Sequence, residues 1–282
     1  MRDLSVDSTA LALNTATLGH NLDGYGAGWP VERVIDACAA HGFAGIVFWR
    51  REIGNRAVEI GDRARAAGLE VSGLCRTPYL VGSERPESWL EDTRASIDMA
   101  AALGTSVLTV VTGGTEPGTK GTAETQKLLA ERLSRVTDHA ARCGVRLALE
   151  PLNPMFGGNR TCLMTVRDAL TVCDMVGDDA LGIAVDVYHV WWDSRLPESC
   201  AAAGSRIIGY HLCDWLEHTS DMLLDRGMMG DGVADLKAIR HAVESAGYAG
   251  PCEVEIFSRD RWWKSDPEVL LRTIVERFRT VC

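Results

Sequence analysis

Short runs of apolar and β-branched residues alternate along the chain with longer stretches whose apolar positions recur every three to four residues. The short runs predict eight strands. They fall at 10–17, 45–49, 70–74, 106–111, 146–150, 182–186, 207–211 and 252–256. The longer stretches have the apolar spacing of amphipathic helices. They fall at 29–41, 55–67, 86–102, 122–142, 165–176, 197–203, 235–246 and 267–280.

This alternation predicts a fold of the α/β class, a single (β/α)8 TIM barrel. Eight strands separated by helices within 282 residues fit a closed barrel better than an open doubly wound sheet. Strand runs that are apolar throughout are typical of a parallel sheet buried under helices. No glycine- or serine-rich linker interrupts the sequence, so we expect one domain over 1–282.

Charge and composition narrow the classes of partner. The chain has 29 basic and 39 acidic residues, and its net charge of −10 disfavours binding to nucleic acid. It has no apolar run of membrane-spanning length and no apolar signal segment near its N-terminus, so we predict no membrane partner. Nine cysteines without a C-x-x-C pair indicate reduced thiols in the cytoplasm rather than a zinc–thiolate site.

Four consecutive predicted strands end in an acid or an imidazole, namely Glu150, Asp186, His211 and Glu255. The C-terminal strand ends of a barrel meet at one rim, where its chemistry is located. Three buried acids would repel one another there unless a cation lay between them. Three oxygen donors and one imidazole suit Mn²⁺, Mg²⁺ or Co²⁺. We therefore predict one divalent metal ion, Mn²⁺ first, although each acid taken alone also fits a helix cap.

Five segments carry a resemblance to a known family. They are ALEPLNP (148–154), AVDVYHVWWD (184–193), YHLCDW (210–215), DRGMMGDG (225–232) and EVEIFS (253–258). Together they resemble the xylose isomerase-like TIM barrels of the sugar isomerase/epimerase superfamily, which includes ketose 3-epimerases, inosose isomerases, hydroxypyruvate isomerases and endonuclease IV. The resemblance implies a metal-dependent isomerase or epimerase of a ketose or keto-inositol, acting by proton transfer through a metal-bound enediolate.

The same resemblance implies roles for individual residues. Glu150 and Glu255 would be the catalytic pair that transfers protons on opposite faces of the sugar. His189 and Arg226 would bind substrate oxygens. Hydrogen bonding to a metal ligand is the alternative for His189, and a solvated surface position is the alternative for Arg226. The glycines of segment 225–232 fit either a lid or an ordinary tight turn.

Further polar residues follow the first three predicted strands, and their roles are less specific. Asn14 follows the first strand, whereas Arg50 and Arg76 end the second and third. The arginines fit contacts to an acidic or phosphorylated substrate as well as they fit rim salt bridges. The expected partner is a small-molecule sugar or keto-inositol, and a homo-oligomer is left open.

Other reactions share the expected first step. Removal of the same proton also begins an elimination, so a metal-dependent lyase or dehydratase acting on a keto sugar is the alternative. It would resemble inosose dehydratases or the barrel subunits of C-glycoside deglycosidases. An endonuclease IV-like nuclease is more remote, because the second, third and fourth predicted strands lack the histidines of a three-zinc cluster. A barrel that binds without catalysis is the remaining class.

Overall fold

The strands form a closed ring. The computed structural model describes the backbone of residues 1–282 and the side chains except that of Ser8. The strands are β1 (Leu11–Asn14), β2 (Gly45–Trp49), β3 (Glu70–Cys75), β4 (Val107–Val110), β5 (Arg146–Leu149), β6 (Leu181–Asp186), β7 (Ile207–Leu212) and β8 (Cys252–Val254). Each strand is parallel to its neighbours, and β8 pairs with β1 to close the barrel. The prediction of a (β/α)8 TIM barrel is confirmed.

Helices follow the strands and cover the barrel. They are α1 (Val31–Ala40), α2 (Arg50–Ile53), α3 (Ala57–Ala66), α4 (Trp89–Leu103), α5 (Ala123–Leu133), α6 (Thr137–Arg142), α7 (Val166–Val176), α8 (Val187–Val190), α9 (Leu196–Ala203), α10 (Leu236–Ser245) and α11 (Pro267–Thr280). In α1, Val31, Val34, Ile35 and Cys38 recur at helical spacing and are all buried, as expected of a helix packed on one side. Among the helices described, none is long and apolar enough to cross a membrane.

One predicted helix is wrong. The region 122–142 contains two helices, because α5 ends at Leu133 and α6 begins at Thr137. The hydroxyl of Ser134 donates to the carbonyl of Ala130 at 2.9 Å, and hydrogen bonds of this kind compete with the helix backbone and bend it. The turn leaves Val136 buried. The two helices therefore cover the barrel as the single one was expected to do.

The strand register brings the polar strand ends to one level. Asp186 lies opposite His211 across β6 and β7, and His211 lies opposite Glu253 across β7 and β8. Paired residues of neighbouring strands point to the same face, and residues two apart on one strand do so as well. Glu253 and Glu255 therefore both project into the barrel, beside His211.

The core offers a direct test of the helical layer. Phe278 on α11 is fully buried, whereas Val269 on the same helix is 44% exposed. We expect Phe278→Ala to lower the free energy of unfolding by about 3–5 kcal/mol, because it leaves a cavity. The control Val269→Ala should change it by less than about 0.5 kcal/mol. Denaturant unfolding measures both, and equal losses would contradict the packing of α11.

Candidate metal centre at the C-terminal end of the barrel

Four side chains that the sequence singled out meet at this end of the barrel. Glu150, Asp186, His211 and Glu255 each offer a ligand atom, and these four atoms lie within 4.8 Å of one another. All four residues are buried, with at most 6% of their surface exposed. Glu150 follows β5 and Glu255 follows β8, so the last four strands of the ring supply one group each.

The arrangement of two of these atoms tests whether a cation fits. Glu150 Oε1 and His211 Nδ1 lie 2.9 Å apart, yet neither atom has a hydrogen-bond partner among the described residues. Leaving a buried polar atom without a partner costs about 1–3 kcal/mol. A cation bound by both atoms removes that cost, and carboxylates with one imidazole form a donor set for Mn²⁺, Mg²⁺ or Co²⁺. The residues therefore fit one divalent cation.

Arg226 lies against two of the carboxylates. Its Nη1 donates to Asp186 Oδ2 at 2.9 Å and to Glu255 Oε2 at 3.0 Å. Its guanidinium carbon lies 4.5 Å from the ring centroids of both Tyr188 and Phe257. Only 2% of Arg226 is exposed, so the alternative of a solvated surface position is wrong. Arg226 is a buried counter-charge inside the site.

The guanidinium of Arg226 affects the two carboxylates unequally. Burial by itself would raise the pKa of Asp186, but Arg226 and the neighbouring imidazoles outweigh burial and hold this pKa below its usual value. At Glu255 burial dominates and Arg226 offsets it only in part, so the pKa of Glu255 rises to about 8. Asp186 is therefore the more acidic of the two carboxyl groups.

Glu253 is a part of the site that the sequence patterns did not single out. Its Oε2 lies 3.4 Å from His211 Nε2, and its Oε1 accepts a hydrogen bond from Asn14 Nδ2 at 2.6 Å. Asn14 Nδ2 also donates to Glu255 Oε1 at 2.9 Å. The side-chain oxygen of Asn14 accepts a hydrogen bond from the Trp49 indole N–H at 2.8 Å. The available signal was the E-x-E spacing in EVEIFS, because alternate residues of a strand share a face.

The charge of His211 depends on these carboxylates. Burial would lower the pKa of His211, but Glu253 and the other nearby carboxylates outweigh burial and raise this pKa well above 6.5. Burial also raises the pKa of Glu253. His211 therefore has a carboxylate on each side, with Glu150 near Nδ1 and Glu253 near Nε2. A carboxylate behind a metal-binding histidine orients its ring and increases its basicity.

His189 lies between the ligand cluster and the open space above it. Its Nδ1 accepts the backbone N–H of Asn153 at 3.2 Å, which leaves Nε2 to carry the hydrogen. Nε2 lies 3.7 Å from Asp186 Oδ2. Burial lowers the pKa of His189 to about 4, so the ring is neutral at neutral pH. This position allows contact with a substrate oxygen as well as with Asp186.

The glycine-containing segment 225–232 is fixed in place. Arg226 within it is buried, and the carboxylate of Asp214 accepts the backbone N–H groups of Gly230 and Gly232 at 2.9 Å each. Asp214 follows β7, so this carboxylate ties the segment to the barrel. The segment is therefore attached to the barrel in this structure, and Arg226 within it lines the cleft. Movement of the segment as a lid stays a prediction.

A cleft with a volume of about 260 Å³ opens above the cluster. Two of the four clustered groups, Glu150 and Glu255, line this cleft, as do His189 and Arg226. A concave cleft lined by apolar side chains and a few polar groups is the usual form of a site for a small molecule. A molecule bound in the cleft would therefore meet both glutamates, with a neutral imidazole and a guanidinium beside them.

Fold and site together define a (β/α)8 barrel with a buried carboxylate–histidine cluster suited to a metal. A family model described as xylose isomerase-like TIM barrel matches residues 35–274, and the chain belongs to this family. The chain is similar to protein SMc04130 from Sinorhizobium meliloti 1021, whose crystal structure gives a TM-score of 0.89 at 40% identity. That match covers 98% of this chain and 99% of the other.

Two curated relatives have named activities. Fructoselysine 3-epimerase of Escherichia coli O157:H7 is 25% identical over 278 residues, which cover 89% of this chain and 94% of that protein. Inosose isomerase of Halalkalibacterium halodurans is 25% identical over 155 residues, which cover 54% of this chain and 53% of that protein. The chain is thus similar to sugar epimerases and isomerases.

The raised pKa values predict that metal binding releases protons. Burial raises the pKa of Glu255 to about 8, nearby carboxylates raise that of His211 well above 6.5, and each group would bind a cation only in its deprotonated form. We therefore expect Mn²⁺ affinity to rise from pH 6 to pH 8, by up to about tenfold per pH unit for each proton released. Calorimetry in buffers of different protonation enthalpy counts those protons. An affinity that stays constant over this range would contradict the assigned ligands.

Proposed function

We propose that this chain is a divalent-metal-dependent isomerase or epimerase of a ketose or keto-inositol. It would move a proton at the carbon next to the carbonyl, through an enediolate. One observation carries the proposal: Glu150 and Glu255 belong to the metal-binding cluster and also line the cleft. The similarity to fructoselysine 3-epimerase and inosose isomerase supports the same class of reaction.

Four side chains would hold the cation, for which Mn²⁺ is the first expectation. They are Glu150, Asp186, His211 and Glu255. Bound there, the cation supplies Lewis-acid charge that stabilises negative charge developing on a carbonyl oxygen. The chain's contribution is to hold these ligands in place. Asn14 fixes Glu255 from one side and Arg226 fixes it from the other.

Glu150 and Glu255 would be the proton-transfer pair. They follow β5 and β8, which lie three strands apart in the ring, so their carboxylates approach the cleft from different sides. One would remove the proton from carbon and the other would return a proton on the opposite face, which inverts that carbon. Isomerisation needs a group on one face only. General acid–base catalysis by such a pair contributes typically 10²–10⁴-fold.

His189 and Arg226 would bind and orient the substrate. Both line the cleft, and Arg226 Nη2 lies 3.5 Å from His189 Nε2. The neutral imidazole would donate its Nε2 hydrogen to a substrate hydroxyl or carbonyl oxygen. The permanently charged guanidinium would donate to a second oxygen while it keeps the carboxylate of Glu255 in place. Two oxygens of the sugar would thereby be held beside the proton-transfer pair.

Metal removal tests the proposal as a whole. We expect a chelator to abolish conversion, and added Mn²⁺, Co²⁺ or Mg²⁺ to restore it. The reason is that no side chain of the site supplies the Lewis-acid charge of a divalent cation. The substrates are a panel of ketoses, keto-inositols and 3-keto-glycosides in heavy water. Mass spectrometry should find deuterium at the carbon next to the carbonyl. Loss of water or of an aglycone would instead identify the elimination reaction.

A substitution tests the role of the glutamates. Glu255→Gln can neither take up the proton nor bind a cation as strongly, so we expect conversion to fall by at least about 10²-fold. Glu244→Gln is the matched control, since Glu244 also has a buried side chain in an ion pair, with Arg2, but lies outside the cleft. The control should keep its activity. A Glu255→Gln protein that retains both conversion and metal content would rule out the proposed pair.

A further inference from the structure

The cleft extends well beyond the proposed reacting groups. Glu150 and Glu255 lie on its β5–β8 side, whereas Trp49, Arg76 and Thr109 line it from the ends of β2, β3 and β4. In a closed ring of eight strands, β2–β4 lie across from β6–β8. A sugar whose carbonyl carbon lies between the two glutamates would therefore direct its remote end toward the β2–β4 side.

Two arginines in the cleft have no acidic partner. Arg76 follows β3 and lines the cleft. Arg160 also lines the cleft and lies in the segment after β5, where its carbonyl accepts the backbone N–H of Gly113, just beyond β4, at 3.2 Å. Among the described side chains, no carboxylate oxygen lies within 4.0 Å of either guanidinium, whereas Arg226 in the same cleft pairs with two. Acidic residues outnumber basic ones in this chain, 39 to 29, so unpaired arginines in a cleft are not explained by a shortage of acids.

One of these arginines also has an unsatisfied buried donor. Arg160 Nε is buried and has no hydrogen-bond partner among the described atoms. Buried donors of charged groups are normally satisfied by a protein group, water or a ligand. An anionic ligand beside Arg160 would supply the missing acceptor.

Aromatic rings hold both guanidiniums in place. The Arg76 guanidinium carbon lies 4.5 Å from the Tyr79 ring centroid, and its Nη1 donates to the Thr77 carbonyl at 3.2 Å. The Arg160 guanidinium carbon lies 5.5 Å from the ring centroid of Phe156, which also lines the cleft. Arginine stacked in this way presents its planar fork of donors, which matches the oxygens of a carboxylate or a phosphate.

We propose that Arg76 and Arg160 bind an anionic group, a carboxylate or a phosphate, carried by the substrate at the end remote from its carbonyl. This inference rests on the proposed function, because it takes the reacting end of the sugar to lie between Glu150 and Glu255. The substrate class is then an acidic or phosphorylated keto sugar. Neutral sugars would fill only the part of the cleft next to the proposed metal centre.

Binding of three ketoses tests this assignment. The probes are D-fructose, D-fructose 6-phosphate and 5-keto-D-gluconate, measured by calorimetry with the full-length protein and added Mn²⁺. We expect at least one charged ketose to bind at least about tenfold more tightly than fructose. The preferred one identifies the anion as phosphate or carboxylate. Added sodium chloride should weaken binding of the charged ketose more than binding of fructose, since salt screens the attraction.

Substitutions identify the residues responsible. Arg76→Gln and Arg160→Gln should each weaken binding of the charged ketose by about 10- to 100-fold and leave fructose unchanged. Arg33→Gln is the matched control, because Arg33 also stacks on an aromatic ring, 4.0 Å from the Trp29 centroid, but lies outside the cleft. Thermal unfolding of each variant shows that the fold is intact.

The outcomes separate this inference from the proposed reaction. Equal affinities for all three ketoses, no binding of either charged ketose, or unchanged binding in both cleft variants would overturn the anion site. Solvent deuterium exchange is followed on the same ketoses. Exchange without any charge preference would leave the reaction standing and remove the anion site. A charge preference that depends on Arg76 and Arg160, with no deuterium exchange, would leave the anion site standing and count against the proposed reaction.

Discussion

Repulsion between carboxylates buried at the mouth of the barrel is the constraint on which the site depends. Glu150, Asp186, Glu253 and Glu255 all lie within a small buried volume. Arg226 and a protonated His211 supply two positive charges, which do not balance four carboxylates. Protons on the most crowded groups reduce the repulsion, and a divalent cation would reduce it further. Burial is the main cause of the raised pKa of Glu255, and repulsion from Glu150 and Asp186 adds to it.

The closed barrel makes such crowding possible. Its ring of parallel strands brings eight strand ends to one rim. The backbone hydrogen bonds between the strands hold these ends in place against the repulsion between the carboxylates. The two sides of the cleft contain different kinds of side chain. The β5–β8 side contains the carboxylates and the histidine, whereas the β2–β4 side contains an indole, a threonine and a stacked arginine. A single cleft therefore combines a site suited to a cation with a region suited to an anion.

Similarity to known proteins concerns the barrel as a whole. The likeness to SMc04130, at 40% identity and over nearly both chains, extends through the whole barrel. Identity to the named epimerase and isomerase is lower, at 25%. One fold can support many reactions, so the groups in the cleft must define the chemistry. In the proposed function the carboxylate–histidine cluster would set the type of reaction, and the far side of the cleft would select the substrate.

Local patterns in the sequence determined the eight strands, most of the helices and the four strand-end ligands, because periodicity and the alternation of strand faces are properties of neighbouring residues. They did not determine that Asn14 bridges Glu253 and Glu255, or that Arg226 is buried between two ligands. Those contacts join residues far apart in the chain, and the Asn14 bridge forms only when β8 closes onto β1. The eightfold alternation predicted a closed barrel, but only the tertiary structure decided which distant side chains meet inside it.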